Sequence, residues 1–276
     1  MIRFVRDDGL TFNISDYFKI VSIEGLGTIT QEIFTEKRAV GDGDIITGTR
    51  VSARTVTITA CNDYSGQFDT SREKINRFFN PKNSFKMYVT YKNNTVWCEC
   101  IVDARDLPTD NIFSPQMFTL SVFCPSPYFK SYDDFGKDLS SVSPMMGFPL
   151  MISQEKGFVA SVRNFSQHVF VPNDGAIDTY CTVVIKPDEN VSGLKIYKNE
   201  KEYILFTVEL KVHETVKIDF ERRTIEIAGK RIPNCIDRKS TFFALDKGGC
   251  TISYDANENV TTTHIYLYYN QLYAGV

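Results

Sequence analysis

The sequence predicts a mainly β protein with a single helix, divided into two domains. Three observations carry that prediction. Short runs of alternating apolar and polar residues recur along both halves of the 276-residue chain, the period-2 signature of half-buried strands. One stretch alone repeats its apolar residues at helical spacing. The run "FCPSPYF" at 123–129 ends a strand with two prolines, each of which removes a backbone donor and forces its predecessor toward an extended conformation.

In the first half, "DYFKIVSI" and "RTVTITA" read as strands, the second with Thr55, Thr57 and Thr59 on one face and Val56, Ile58 and Ala60 on the other. Between them lies "GTITQEIFTEKRAVGDGDIITGT", polar and punctuated by glycine. Its Gly41-Asp-Gly-Asp44 segment supplies turn chemistry between β-prone flanks, predicting a long hairpin or mobile loop. The helix follows in "DTSREKINRFFNP": Thr70 and Glu73 fit a capping box, Ile75, Phe78 and Phe79 share a face, and Asn80-Pro81 ends it. "FKMYVTY" and "VWCECIVD" flank Lys92-Asn93-Asn94 as a hairpin, and "MFTLSVFC" is another alternating strand. After the two prolines, "KSYDDFGKDLSSVSPMMGFPLM" has no period and is rich in Ser, Asp, Gly and Pro. The expected division is therefore a domain over 1–130, a linker over 131–150 and a second domain over 151–276. Tyr128 and Phe129 are expected to pin the exit against the first domain.

The second half is almost pure β: "HVFVPNDG", "YCTVVIKP", "LKIYKN", "YILFTVEL", "TVKIDF", "TIEIAG", "TFFALDKGG", "CTISYD" and "THIYLYY". Short strands with turn signals between them predict a sandwich or jelly roll. "KIDFERRTIEIAGKRI" is a hairpin with Glu221-Arg222-Arg223 at its tip. In the terminal strand, Thr263, Ile265, Leu267 and Tyr269 share one face and His264, Tyr266 and Tyr268 the other.

Composition excludes several classes of function. Lys and Arg number 31 against 34 Asp and Glu, so the clustered positive charge that phosphate binding needs is missing, and no sequence-specific nucleic-acid binding is expected. No apolar run approaches the roughly eighteen residues of a membrane span, and "MIRFVRDDGL" places Asp7 and Asp8 where a signal peptide is apolar. Synthesis in a cytoplasm is expected, with no membrane insertion. The seven cysteines are odd in number and scattered, which suits reduced thiols. Cys98 and Cys100 alternate onto one face as small buried hydrophobes, without the histidines or second Cys pair of a zinc site. His168, His213 and His264 lie in no catalytic motif, and no P-loop or dinucleotide fingerprint occurs, so neither an enzyme nor a bound cofactor or metal is expected.

The order of features resembles the siphophage distal tail proteins, which form a ring at the tip of a long phage tail. The resemblance spans nearly the whole chain. It rests on "RAVGDGD" followed by "RTVTIT", on "REKINRFFNP", on the "FTLSVFCPSPYF" exit and on "VPNDG". Its most specific pieces are "VKIDFERRTIEI", "FFALDKGGCTISYD" and "IYLYYNQLYAGV". Cys250 stands after Gly249 where the family more often has Asn, and the "ERR" tip replaces an Asn-Gly-like turn. The resemblance implies a tail-tube-like split β-barrel with one helix, followed by a galectin-like β-sandwich. It implies a homo-hexamer around a DNA exit channel at the virion tail tip, with the tail tube protein, the tail hub and receptor-binding proteins as partners. Within that reading, Lys37, Arg38, Asp42, Asp44 and Arg50 of the glycine-rich loop are candidates for a ring or tube interface, because long loops in compact domains tend to be functional. The galectin-like half raises an alternative function, recognition of host cell-wall glycans, with Tyr266, Tyr268 and Tyr273 as the candidate platform.

Overall fold

A computed structural model describes residues 1–61, 68–107, 117–132, 135–139, 142–144, 161–163 and 168–276. The chain forms two compact units. One comprises Met1–Tyr132 with Leu272–Val276, the other Asp133–Gln271.

The first unit is built on one nine-stranded sheet. Its strands are β1 (Ile2–Arg6), β2 (Thr11–Asn13), β3 (Lys19–Glu24), β6 (Arg54–Cys61), β7 (Ser84–Tyr91), β8 (Asn94–Asp106), β9 (Met117–Cys124), β10 (Phe129–Ser131) and the C-terminal Leu272–Tyr273. The main path runs β2-β1-β7-β8-β9-β6-β3, with β10 bridging β8 and Leu272–Tyr273. β2 and β3 do not pair, so the sheet curls around its core without closing into a barrel. Alternation decides which face is inside. Val56, Ile58 and Ala60 of β6 meet Phe118, Leu120 and Val122 of β9 in a buried cluster with Phe4, Phe85 and Met87. Helix α1 (Phe68–Phe78) closes that cluster. Ile75, Phe78 and Phe79 are buried, and the Phe79 ring stands edge-on to Phe4 at 5.1 Å. The side chain of Thr70, and with it the expected capping box, lies outside the described residues.

Cys98 and Cys100 occupy the buried face of β8, with Cys98 Sγ 3.6 Å from Cys124 Sγ. Hydrogen bonding to Cys124 and burial push both thiols up from their ordinary value. Beyond Cys124 the prolines end the ladder. Phe129 then sits fully buried in β10, the anchor expected of it, and Lys130 pairs with both Trp97 and Leu272.

β4 (Gln31–Lys37) and β5 (Asp44–Val51) form a separate two-stranded ribbon, the hairpin foreseen from the glycine-rich segment.

The second unit is a sandwich around its own core. The stretch expected as a linker contributes β11 (Phe135–Asp138) to it, and β12 (Val142–Pro144) pairs with β13 (Ser161–Arg163). One sheet orders β11, β22 (Thr263–Tyr269), β15 (Cys181–Pro187), β18 (Val216–Asp219), β19 (Thr224–Ile227) and β20 (Lys230–Arg231). The other orders β14 (His168–Val171), β21 (Cys250–Asp255), β16 (Lys195–Lys198) and β17 (Glu202–Leu205). Val183, Ile218 and Leu267 of the first sheet share a buried cluster with Ile196, Ile252 and Tyr254 of the second. "TFFALDKGG" departs from its expected strand. Leu245 makes one isolated bridge to Thr179, while Phe243 packs against Phe220 at 4.6 Å as a plug. Gly248 and Gly249 end that segment at positive φ, where a Cβ on Gly249 would lie 2.7 Å from the Val171 carbonyl oxygen. That contact accounts for the glycine.

Candidate assembly arm

The β4–β5 ribbon is the most exposed structure in the first unit. Its strands pair from Gln31↔Val51 to Lys37↔Asp44, with a bulge between Phe34 and Thr35. Every residue of β4 is exposed. The exposed set includes large apolar side chains: Ile33 at 57%, Phe34 at 51%, Ile46 at 64% and, at the tip, Val40 at 91%. Two-stranded hairpins are marginal alone in water, and Ile33 and Phe34, consecutive in β4, point to opposite faces, so large apolar side chains are exposed on both sides of the ribbon. Both edges of the ribbon also present unpaired backbone groups. Among the described residues the arm carries the features of a contact surface without a contact.

The five predicted interface residues all lie here. Lys37 and Asp44 face each other at the last register pair, Arg50 stands opposite Glu32, and Arg38 and Asp42 occupy the tip, where Gly41 and Gly43 adopt positive φ. All five are exposed, and among the described residues none joins an ion pair. Isolated surface charges stabilise a monomer little.

Where the arm leaves the sheet, one residue holds three segments together. Arg54, at the start of β6, is only 5% exposed. Its Nη1 donates to the Leu26 carbonyl at 2.6 Å, its Nη2 donates to the Ala274 carbonyl, and its guanidinium lies 4.6 Å over the Phe129 ring. Nε has no acceptor among the described residues. Burial lowers the Arg54 pKa from its usual value. A buried charge held by carbonyls and a ring, with no carboxylate in contact, is costly to break. It clasps the C-terminal segment to the arm's root. The same root needs Gly25: φ is +89°, and a Cβ there would lie 2.1 Å from the Thr55 carbonyl oxygen. A cleft of about 420 Å³ lies beside it, lined by Glu24, Thr28, Ile29, Ser52 and Arg54.

Neither Arg54 nor the returning C-terminus was foreseen. An arginine opening a strand reads as surface, and nothing in "YAGV" signals which unit it joins.

The predicted glycan platform is distributed between the two units. Tyr266 and Tyr268 share a face of β22 in the second; Tyr266 stacks with His264 at 6.3 Å, and Tyr268 is exposed. Tyr273 pairs with Phe129 in the first unit and packs against its core. His264 Nε2 lies 3.1 Å from Asp188 Oδ2, and His168 Nδ1 shares a hydrogen bond with Ser253.

Two family models match the chain. The phage tail protein RIFT-related domain covers residues 8–124, and the siphovirus-type tail component C-terminal domain covers residues 174–273. The crystal structure of the Dit protein of phage SPP1, a hub adsorption apparatus protein, is similar in fold, with a TM-score of 0.71 at 13% identity over 99% of both chains. Two structures of the phage P2 baseplate in its activated conformation also match: with calcium, at TM-score 0.46 and 7% identity over 97% of each chain, and with strontium, at 0.47 and 6% identity over 97% of this chain and 98% of that one. No curated protein sequence matches the chain.

Proposed function

We propose that six copies of this chain, a siphophage distal tail protein by the two family models that match it, close into a ring around the DNA exit channel. The ring joins the tail tube on one side to the tail hub on the other. It offers its second units as docking platforms for receptor-binding proteins. The mechanism is geometric: a closed ring matches the symmetry of the tube, and each protomer contributes one donor and one acceptor surface.

The observation that carries this reading is the exposed apolar arm, with the unpaired charges of Lys37, Arg38, Asp42, Asp44 and Arg50 around it. The arm docks on a neighbouring protomer or on the tube, buries Ile33, Phe34 and Ile46, and lets the five charges select the register. A second feature supports the channel. The outer face of the β6–β9 pair carries Thr55, Thr57, Thr59, Thr119 and Ser121, with Thr57 Oγ1 and Ser121 Oγ 3.5 Å apart. We assign this uncharged hydroxyl face to the channel wall, since a surface without cations lets a polyanion slide rather than bind.

Light scattering on the purified chain, with negative-stain images of the same peak, tests the ring. The expected result is a mass of six chains and six-fold rings with a central hole. A monomer at every concentration, alone and mixed with tube and hub proteins, overturns it.

A further inference from the structure

Three thiols meet inside the first unit where β9 ends. Cys98 and Cys100 lie on the buried face of β8, and Cys124 is the last residue of β9. The β8–β9 register reaches Ile101↔Phe123 at this end, so Cys124 follows on the side of Cys100 and Cys98. Cys98 Sγ stands 3.6 Å from Cys124 Sγ, and Cys100 is hydrogen-bonded to Cys124 as well. On the other side of β9, Cys124 pairs with Arg54 of β6. That arginine is buried and joins no ion pair among the described residues; Glu24, in the cleft at the arm's root, makes none with it. Beyond burial itself, the groups that act on its charge are the Cys98 and Cys124 sulfurs.

We propose that Cys98 and Cys124 are a redox pair that a peroxide closes into a disulfide, with Cys124 as the attacking thiolate. A buried guanidinium favours a negative neighbour, and the cross-strand neighbour of Arg54 is a group able to become one. Hydrogen bonds from Cys100 and Cys98 hold the Cys124 thiol below its ordinary value against the opposing effect of burial, and the same bonds hold the two donors above theirs. The thiolate is the nucleophile in sulfur chemistry. It attacks one peroxide oxygen, the O–O bond breaks, hydroxide leaves, and Cys124 becomes a sulfenic acid. That hydroxide takes the Cys98 proton as water. The Cys98 sulfur then attacks the Cys124 sulfur and expels a second hydroxide, so two electrons have passed from the sulfur pair to the peroxide. Access follows from the sequence: the ladder stops at Cys124, before Pro125 and Pro127, and local opening of 125–128 admits a small uncharged oxidant. A bulky alkylating reagent stays out of the native site. The bond joins positions 26 apart in sequence and staples the end of β9 to β8, just before the chain turns toward Phe129. A phage tail component meets oxidants outside the cell, where disulfides persist. That timing rests on the tail reading, whereas the pair belongs to the single chain whether or not a ring closes.

The test treats the full, reduced chain with hydrogen peroxide, then unfolds it, alkylates it and maps it by tandem mass spectrometry. The expected result is that two of the seven cysteines escape alkylation, Cys98 and Cys124, joined within one chain and recovered by reductant. Closure persists in Cys100→Ala, is lost in Cys124→Ala and slows at least about tenfold in Cys98→Ala. Far-ultraviolet circular dichroism matching the parent shows that the variants are folded. A parent in which every cysteine is alkylated overturns the proposal. So does a bond that survives Cys124→Ala, a covalent dimer in place of the internal bond, or closure in Cys98→Ala as fast as in the parent.

Discussion

The β4–β5 arm and the β6–β9 pair are both antiparallel pairs from the same unit, and they have opposite fates. β6 and β9 place Val56, Ile58, Leu120 and Val122 inward and hydroxyls outward, and the inward set is fully buried. β4 and β5 carry apolar residues of the same kinds, Ile33, Phe34, Ile45 and Ile46, and leave them exposed. Pairing and β-propensity are therefore not what separates framework from contact surface. The difference is whether a second layer covers the apolar side chains, and in the proposed function the arm's layer comes from another chain.

Substitutions that interrogate each side of this comparison should differ in kind. The largest loss of monomer stability is expected in the framework, where Leu120→Ala should cost about 2–5 kcal/mol by removing buried methyls and leaving a cavity. Chemical denaturation reads that directly. Arg54→Ala should cost about 2–4 kcal/mol, because two carbonyls lose charged donors and Phe129 loses its cation. It should also raise hydrogen exchange at 272–276. An unchanged C-terminus would show that Arg54 is not the clasp. In the arm, Phe34→Ser with Ile46→Ser should leave the unfolding free energy within about 0.5 kcal/mol of the parent, yet abolish ring or tail assembly seen by negative stain. Charge reversal at Arg38 and Asp44 should slow assembly at low salt and matter less at high salt. Assembly that proceeds unchanged would remove these charges from the interface.

The smallest effect concerns the thiols. Burial pushes the Cys181 thiol up from an ordinary value of 9.0, so the native state holds a proton that the unfolded chain releases. Its contribution to stability is complete below pH 9.0 and falls as pH rises beyond it. A denaturation series from pH 7 to 10 checks the sign. In native protein a thiol reagent should reach the half-buried Cys61 first, because Cys98, Cys100, Cys124, Cys181, Cys235 and Cys250 are buried.

The sequence was most legible where local pattern and tertiary fate agree. β6, β9, α1 and the inward residues of β22 follow from alternation or helical spacing, and "GDGD" marks the arm's turn. Its exposure does not follow, since "EIFTEK" and "DIITGTRV" have the composition of framework strands. "TFFALDKGG" misleads for the converse reason. Its Phe residues serve as a plug, and the paired glycines at positive φ break the ladder. Arg54 depends on contacts with Leu26, Phe129 and Ala274, which are far apart in sequence.

Hydrogen exchange of the arm tests the central claim most directly, comparing the isolated chain with the chain assembled in tails. The account predicts that amides of Gln31–Lys37 and Asp44–Val51 exchange quickly in the isolated chain. In assembled tails they should slow by at least about a hundredfold, while those of β6 and β9 are protected in both. Arm amides equally fast in both states would contradict it.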